Sequence, residues 1–409
     1  MRWRQQLPVH SPVRALSLLR AAGATLVRAG DANRATVAAM LKSRSGARDV
    51  VLTDSGTSAL VMALRLAVGE GGTVAFPGYS CIDLAAAAIR ARVRVRLYDL
   101  DPYTLSPDLA SVERAIARGV DAVLVAHLYG FPADIAGVAE LAARARTEVH
   151  VIEDAAQGSG GTLAARPLGS FGSLSILSFG RGKGVTGGGG GALLAMHSSW
   201  AARLGEARRR MGSASAGWRE LAGAAAQWLL GRPSLYGIPA SIPSLRLGEM
   251  VYHPAHEPRE MAATAAALVQ SALAGADTEA EVRRRHARTL AAGLEVAEGL
   301  RVVTPLAGGS SGYLRLPVID SAGRTDDTRL GILRGYPRTL IEQEELRPCL
   351  CDGESGPPGA SLLGTSLFTL PTHRLVSERD VEGIRAWARQ PGTGYRWRSA
   401  VSGGELRHA

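Results

Sequence analysis

One stretch of this sequence, residues 149–196, limits what the chain can fold into more than any other. An apolar run there is followed at once by two carboxylates, Glu153 and Asp154. A second run of β-type residues, Leu174–Phe179, leads into a loop that contains Lys183. Because open α/β sheets place their ligand sites at the carboxyl ends of the strands, this pattern predicts that an acid and an amine meet at one sheet edge.

The lysine at position 183 indicates chemistry rather than surface charge, since the rest of this stretch uses arginine. A desolvated lysine amine can lose its proton and attack a carbonyl carbon, which a guanidinium cannot do. Pyridoxal phosphate needs a lysine for its aldehyde and a carboxylate that keeps its ring nitrogen protonated. Lys183 and Asp154 are therefore the predicted catalytic residues, with pyridoxal 5'-phosphate as the cofactor. The alternative is an ordinary loop lysine and a strand-end cap.

The motifs around these residues resemble those of the DegT/DnrJ/EryC1/StrS family of sugar aminotransferases, which are fold-type I enzymes. The family's acidic-Asp-Ala-Ala-Gln motif is present at 153–157, and its Gly-Ser-Phe-Gly motif at 169–172. Its Ser-Phe pair, followed after three residues by lysine, matches Ser178, Phe179 and Lys183. Spacing that places each motif in its expected structural context makes the joint pattern specific.

The resemblance implies further roles and also has departures. It implies that Gln157 contacts the ring hydroxyl of the cofactor and that Ser178 supplies a hydroxyl to its phosphate. Gly180 and Arg181 stand where the family usually has a bulky residue and a proline. The run Gly187–Gly191 is unbroken, although the family usually carries a glutamate in it. Both departures are expected to reshape the wall of the pocket.

A second predicted ligand site is the turn at Asp54–Ser58, which precedes a helix predicted over Ala59–Ala67. A small-residue turn that opens a helix presents free backbone N–H groups and the positive end of the helix dipole, which suits a phosphate. An ordinary helix cap explains the same residues without a ligand. The resemblance implies that Gly56, Thr57 and Ser58 hold the cofactor phosphate.

The resemblance also implies a side chain that covers the cofactor ring, supplied by the segment after the predicted strand Thr73–Phe76. The matching position is Cys81, where the family has an aromatic residue, and Tyr79 lies two residues earlier. The sequence leaves both residues open for this role. No metal site is predicted.

Charge and cysteine usage set limits on the class of protein. The net charge is +10 and the pI about 10.0, but apart from two clusters, 208–210 and 283–285, the arginines are dispersed, and no DNA- or RNA-binding motif accompanies them. Three cysteines without a C-x-x-C pair indicate a reducing compartment. The sequence shows neither a signal peptide nor a bilayer-spanning run, so a cytoplasmic location is predicted.

Alternation of β-type and helical segments predicts an α/β fold with a mostly parallel central sheet sandwiched by helices. With the resemblance, this is a fold-type I transferase that has a smaller C-terminal α+β domain. The predicted units are an arm and helix over 1–31, a large cofactor-binding domain over 32–250, an insertion within it at about 198–249, a small domain over 251–390 and a flexible tail over 391–409.

The insertion carries an apolar stripe that the family's common form does not explain. Its members fall on one face of a predicted helix by their spacing of three to four residues: Trp218, Leu221, Ala225, Trp228 and Leu229. Burial against the same protein or a second subunit is favoured over a position in a membrane interface.

The function that these features predict is amino transfer to the keto group of a nucleotide-linked sugar or related polyol, in polysaccharide or secondary-metabolite biosynthesis. Family analogy suggests glutamate as the amino donor. The alternatives are a dehydratase of the same fold, in which histidine replaces the lysine, and a non-catalytic interaction protein that kept the fold. A homodimer with shared sites is expected, completed by the arm 1–31 and the loop His256–Arg259. Arg259 is the suggested substitute for the family's cross-subunit asparagine.

Overall fold

The structure is a computed structural model that describes residues 4–26, 30–248 and 250–392. The start of the predicted arm, residues 1–3, and the tail residues 393–409 lie outside these ranges. No helix among the described residues has the length and apolar character needed to cross a bilayer.

The predicted β-type runs Thr73–Phe76 and Leu174–Phe179 match the strands Thr73–Pro77 and Leu174–Ser178 to within one residue. The described strands are short. They are β1 (Asp49–Thr53), β2 (Thr73–Pro77), β3 (Arg94–Tyr98), β4 (Ala122–Ala126), β5 (His150–Asp154), β6 (Thr162–Leu163), β7 (Arg166–Pro167), β8 (Leu174–Ser178), β9 (Gly191–Ala195), β10 (Leu300–Val302), β11 (Gly309–Ser310), β12 (Leu316–Asp320), β13 (Leu333–Arg334) and β14 (Leu367–Leu370).

A helix follows each of the first four strands, and the other helices precede β1, connect β9 to β10 and β13 to β14, or follow β14. The helices are α1 (Ala15–Leu26), α2 (Gly30–Ser45), α3 (Gly56–Ala67), α4 (Asp83–Ala91), α5 (Leu109–Ala117), α6 (Ile135–Ala143), α7 (Ser198–Arg209), α8 (Trp218–Leu230), α9 (Gly237–Ala240), α10 (Ala263–Leu273), α11 (Ala276–Leu294), α12 (Pro358–Ser366) and α13 (Glu378–Ala388).

The central sheet has the strand order β1-β9-β8-β5-β4-β2-β3. Strand β9 runs antiparallel to β1 and β8, and the other neighbours pair in parallel. Side chains of successive residues point to opposite faces of a strand. Accordingly Val51 packs into the core under α3 to α6, whereas Val50 and Leu52 pack against α2 and α10. The predicted mostly parallel sheet, sandwiched by helices, is confirmed.

The C-terminal part builds a second sheet, in the order β10-β12-β14-β13, on which α11 and α13 pack through Leu290, Ile384 and Trp387. The predicted boundary at 251 places α10 with this smaller unit. In the structure, α10 instead packs on β1 and β9 of the central sheet through Ala266 and Val269. By packing, the smaller unit therefore begins within α11.

The N-terminal arm lies along its own chain. Arg4 forms an ion pair of 2.7 Å with Asp380, and the Leu7 carbonyl accepts a hydrogen bond of 2.9 Å from Nε2 of His373. Helix α1 follows and packs through Ala21 and Ala24 on α8 and α10. The arm thus joins the smaller unit to the edge of the central sheet where β5 and β8 end.

Candidate active site

A cleft opens at the carboxyl ends of β4, β5 and β8 and at the start of α3. About 520 Å³ of space free of protein atoms lies in it, part of this open to solvent. The cleft brings together seven of the residues that the sequence singled out: Gly56, Thr57, Cys81, Asp154, Gln157, Ser178 and Lys183. Ser58 and Tyr79 do not line it.

Helix α3 begins at Gly56, three residues earlier than predicted, because Ser55 caps it. The Ser55 hydroxyl accepts a hydrogen bond of 3.0 Å from the Ser58 N–H and donates one of 2.9 Å to the Ser58 hydroxyl. Ser58 is thereby committed to the cap and is buried. Gly56 and Thr57 are left to face the cleft with the helix N-terminus.

Gly56 and Ser178 approach each other across this end of the cleft. A Cβ atom built on Gly56 would lie 2.7 Å from the Cβ of Ser178. No side chain fits at position 56, so the turn can come close to β8 only because this residue is glycine. The result is a narrow cradle made of backbone and small hydroxyl-bearing residues.

Two consecutive carboxylates at the end of β5 have different environments. Glu153 is fully buried, and its two oxygens accept hydrogen bonds of 2.6–3.1 Å. The donors are the hydroxyl of Ser175, the N–H groups of Gly169, Phe171 and Gly172, and at 3.0 Å the Nε2 of His127. Burial acts to raise the pKa of Glu153, but these donors outweigh it and hold the pKa below its usual range. Glu153 therefore organises the loop that follows β7.

Asp154 faces the cleft instead. Its Oδ1 accepts one hydrogen bond of 3.0 Å, from the Ala156 N–H. Burial raises the pKa of Asp154, while that N–H and the positive charge of Lys183 act in the other direction. A cationic N–H placed against this carboxylate would stabilise its ionised form. The two neighbours therefore differ in what they can do, because one is saturated by the protein and the other is available.

His127 lines the cleft beside them, and its ring is fixed at both nitrogens. Nδ1 accepts a hydrogen bond of 3.0 Å from the Ala133 N–H, so the ring proton is on Nε2 and is donated to Glu153. These contacts tie the end of β4 to β5 and to the segment before α6.

Gln157 lies on the far side of the cleft with its amide already oriented. Its Oε1 accepts from the Tyr129 N–H at 2.9 Å, and its Nε2 donates to the Tyr336 hydroxyl at 2.5 Å. Tyr336 belongs to the C-terminal half, and no local pattern predicts its presence here. The amide is held by two elements that are far apart in the chain.

The two residues left open for covering the cofactor ring are separated by the fold. Cys81 lines the cleft, and its Sγ donates to the Asp83 carboxylate at 3.4 Å. Burial, followed by the negative charge of Asp83, raises the pKa of Cys81 to about 12, so this thiol stays protonated. Tyr79 is fully buried, and its hydroxyl bonds to the Tyr129 hydroxyl at 3.0 Å and to the Tyr336 N–H at 2.7 Å.

Lys183 is in the loop between β8 and β9, and the arm of the same chain supports this loop. The hydroxyl of Ser11 accepts a hydrogen bond of 3.1 Å from the Gly184 N–H, and Val9 lies 2.8 Å from where a Cβ on Gly182 would be. The arm was predicted to complete a neighbour's site. In the structure its described residues contact their own lysine loop.

Arg259 was the suggested substitute for the cross-subunit asparagine. It lies next to the phosphate turn, because its backbone N–H and carbonyl pair with Asp54 at 3.4 and 3.0 Å. Its side chain is exposed and does not line the cleft of its own chain.

Comparison with known proteins bears on this site. The sequence profile of the DegT/DnrJ/EryC1/StrS aminotransferase family matches residues 20–330. An L-glutamine:2-deoxy-scyllo-inosose aminotransferase from Micromonospora echinospora is 37% identical over 145 residues, which are 35% of this chain and 34% of the relative. A dTDP-3-amino-3,4,6-trideoxy-alpha-D-glucose transaminase from Streptomyces venezuelae is 40% identical over 156 residues, 37% of this chain and 40% of the relative. The matched segment spans about a third to two fifths of the length of these curated relatives.

Among solved structures, the E. coli GDP-4-keto-6-deoxy-D-mannose-3-dehydratase with bound hydrated PLP has a TM-score of 0.73 and 14% identity. The similarity covers 94% of this chain and 99% of that chain. It shows the same fold and does not separate amino transfer from dehydration. Since the family profile covers most of the sequence, the chain belongs to the DegT/DnrJ/EryC1/StrS aminotransferase family.

Proposed function

We propose that this protein is a pyridoxal-phosphate-dependent aminotransferase that transfers an amino group from an α-amino acid to the keto group of a cyclic polyol or a nucleotide-linked sugar. The observation that carries the proposal is the single cleft that joins Asp154, Gln157 and Lys183 to the N-terminus of α3. An available carboxylate, an amine and an anion-binding helix end are the three groups that this cofactor requires.

The residues of the cleft fit the cofactor in shape as well as in chemistry. The cradle between Gly56 and Ser178 has backbone N–H groups and hydroxyls for a phosphate and excludes larger side chains. Asp154 has free acceptor capacity for a protonated ring nitrogen, and Gln157 would contact the ring hydroxyl. The protonated Cys81 thiol would cover the ring face that the family covers with an aromatic residue. When bound, the cofactor supplies an electron sink for the negative charge that develops at the substrate carbon.

Lys183 would have two tasks in turn. Its Nζ would hold the aldehyde carbon of the cofactor, and the same amine would carry a proton from and to the substrate carbon as general base and general acid. The Ser11–Gly184 hydrogen bond keeps the loop, and with it Nζ, at the edge of the cleft. Asp154 favours the protonated ring nitrogen throughout.

The names of the relatives guide the choice of substrates. They act on an inosose and on a dTDP-linked sugar, so the acceptor class proposed here is a keto group on a six-membered ring. Glutamate is the donor expected from family analogy, and one relative is named for L-glutamine. Both donors belong in the first assay.

Visible absorption of the protein purified with pyridoxal phosphate tests the proposal, because a cofactor joined to Lys183 gives a yellow band that borohydride removes. We expect the parent to show the band. We expect Lys183→Ala to lose both the band and amino transfer. Lys42→Ala is the matched control, since Lys42 is the other lysine of the sequence and lies on the surface paired with Asp49 at 3.0 Å. A mass-spectrometric screen of keto sugars and inososes against both donors identifies the substrate. Near-normal turnover in Lys183→Ala would reject the assignment.

We also infer a homodimer with the active site at the subunit boundary. The exposed Arg259 side chain beside Asp54 and the open cleft support this inference, as does an exposed apolar surface on α1 and the insertion that includes Leu19, Trp218 and Leu229. If Arg259 serves the neighbouring site, mixing a Lys183→Ala chain with an Arg259→Ala chain should restore part of the activity. Full activity of a species that light scattering shows to be monomeric would contradict the inference.

A further inference from the structure

The insertion helix α8 lies directly on the glycine run that follows the lysine loop. A Cβ built on Gly188 would lie 2.8 Å from the backbone oxygen of Glu220, a residue of the first turn of α8. Further along the same helix, the Nε2 of Gln227 donates a hydrogen bond of 2.6 Å to the Ser11 carbonyl, and Ser11 in turn supports Gly184. Helix α8 therefore contacts the glycine run at Gly188 directly and is linked to Gly184, the residue after Lys183, through Ser11.

Within the run, one glycine differs from the others in the space around it. A Cβ on Gly187, Gly188 or Gly190 would come within 3 Å of another atom, and one on Gly191 would collide with the Ser55 carbonyl. At Gly189 the nearest atom is the Cγ of Glu220 at 3.4 Å, followed by the backbone oxygen of Asp54 at 3.8 Å and the Oε1 of Glu220 at 3.9 Å. Gly189 is the position of the run at which a side chain would fit, and the Glu220 side chain already fills that space.

The carboxylate of Glu220 is poorly explained by stability alone. Its Oε2 is buried without a hydrogen-bond partner in the described part of the chain. A buried acceptor that lacks a donor destabilises a fold, so a residue kept only for packing would be better as glutamine or an apolar residue. The oxygen is suited to an N–H donor of positive charge, from a ligand or from a second copy of the chain.

The run in turn is joined to the phosphate turn. The Gly190 N–H donates a hydrogen bond of 2.9 Å to the Asp54 carbonyl. Gly190 also forms an isolated β-bridge with Ser55, the residue that caps helix α3 at Gly56. A shift of the run would therefore move the cradle proposed for the cofactor.

We propose that Glu220 supplies from the insertion the carboxylate that the glycine run lacks, and that it is a positioning residue of the active site whose Oε2 accepts from an ammonium or guanidinium group. The family carries a glutamate within this run. In this chain the carboxylate comes from a residue about thirty positions later and occupies the space beside Gly189. The inference rests on the proposed function, because its effect is read at the cofactor site.

Four variants test it: Glu220→Gln, Glu220→Ala, the exchange Gly189→Glu/Glu220→Ala, and as control Glu206→Gln, which removes an exposed carboxylate on α7. We expect both single Glu220 variants to lower kcat/KM for the amino donor at least tenfold while the thermal midpoint of the apoprotein stays equal or rises. The exchange should restore most of the loss, since it returns a carboxylate to the same space. Glu206→Gln should match the parent.

Two further measurements locate the cationic partner. A raised KM for the amino donor in Glu220→Gln identifies the donor's ammonium as the partner. A dimer of Glu220→Gln that already dissociates at a higher protein concentration than the parent dimer, measured by light scattering, identifies a group of the second copy instead. Parent-like kinetics and cofactor titration in Glu220→Gln and Glu220→Ala would overturn the proposal, and so would an exchange variant that recovers nothing. Absence of the yellow band in the parent would instead reject the proposed function. In that case faster amide exchange at 187–191 in Glu220→Gln than in the parent still supports the positioning role, and unchanged exchange rejects it.

Discussion

The strand-end segment from Glu153 to Gly191 and the insertion helix α8 lie against each other but are held in different ways. In the first, the fully buried Glu153 carboxylate accepts hydrogen bonds from loop N–H groups, from His127 and from the Ser175 hydroxyl. In the second, Ala224 is buried, whereas Trp218 and Leu229 are 55% and 54% exposed. The buried carboxylate of the strand-end segment is fully bonded within one chain, whereas the outer face of α8 is left uncovered by that chain.

This difference indicates that the strand-end segment serves the chemistry and that the outer face of α8 serves assembly. A segment whose loop N–H groups bond to the buried Glu153 carboxylate of the same chain can hold Asp154 in place without help from a neighbour. A helix that exposes large apolar side chains gains stability only when something covers them. The site chemistry therefore belongs to the first region, and the second is the place where a second copy would change the properties of the protein.

The largest effect on turnover is expected from Asp154, the carboxylate of the strand-end segment that faces the cleft. Asp154→Asn should lower turnover by several orders of magnitude, because a neutral partner no longer favours the protonated ring nitrogen, and each tenfold loss is about 1.4 kcal/mol of barrier. Stopped-flow measurement of the half-reaction with the amino donor gives the rate. Parent-like transamination by Asp154→Asn would mean that its carboxylate is structural.

The neighbouring residue should behave in the opposite way. Glu153→Gln replaces an acceptor of several donors by a group that brings two donors of its own, so we expect a loss of about 3–5 kcal/mol in the free energy of unfolding. Urea denaturation of the apoprotein measures it, with the surface variant Glu206→Gln as control. Folded protein that keeps its stability and loses only turnover would assign Glu153 a chemical role.

This contrast also shows what the sequence could and could not predict. The motif at 153–157 and its spacing to Lys183 predicted the sheet edge and most of the cleft, because strand direction and strand-end position follow from local pattern. The separation of Cys81 from Tyr79 depended on which side of one turn faces the core, which local pattern does not specify. Ser11 and Tyr336 contact residues more than a hundred positions away, and Glu220 lies in an insertion that carries no motif. Local sequence patterns therefore could not predict these contacts.

The arm that bridges the two regions should make stability depend on pH. Burial lowers the pKa of His10 to about 4, and burial likewise lowers the pKa of His373 to about 3, so both rings are neutral in the fold. Below their unfolded pKa of about 6.5 the unfolded chain binds more protons than the native one, and stability falls as pH drops from about 6.5 toward 4. With these pKa values the two rings together should cost about 5 kcal/mol over this range, measured by urea denaturation at fixed ionic strength.

A double variant checks the source of this pH dependence. In His10→Gln/His373→Asn the curve between pH 6.5 and 4 should be flatter than in the parent, whatever the absolute stability at pH 7. The protection factors of the Gly182 and Gly184 amides, which correct for the intrinsic pH dependence of exchange, should fall with acid in the parent, since the arm supports this loop. An equally steep curve in the double variant would place the titrating groups elsewhere.

The smallest change in the stability of a single chain is expected on the outer face of α8. Trp218→Ser/Leu229→Ser removes side chains that are more than half exposed, so the free energy of unfolding at low protein concentration should stay within about 0.5 kcal/mol of the parent. The predicted burial of this stripe is not met within one chain, which leaves a second copy as the covering surface that the proposed homodimer would provide. If that is correct, the same variant shifts the dimer midpoint in light scattering to higher concentration, and it does so without changing the absorption of the cofactor. A loss of 2 kcal/mol or more at concentrations where the parent is monomeric would show instead that the stripe is buried within its own chain.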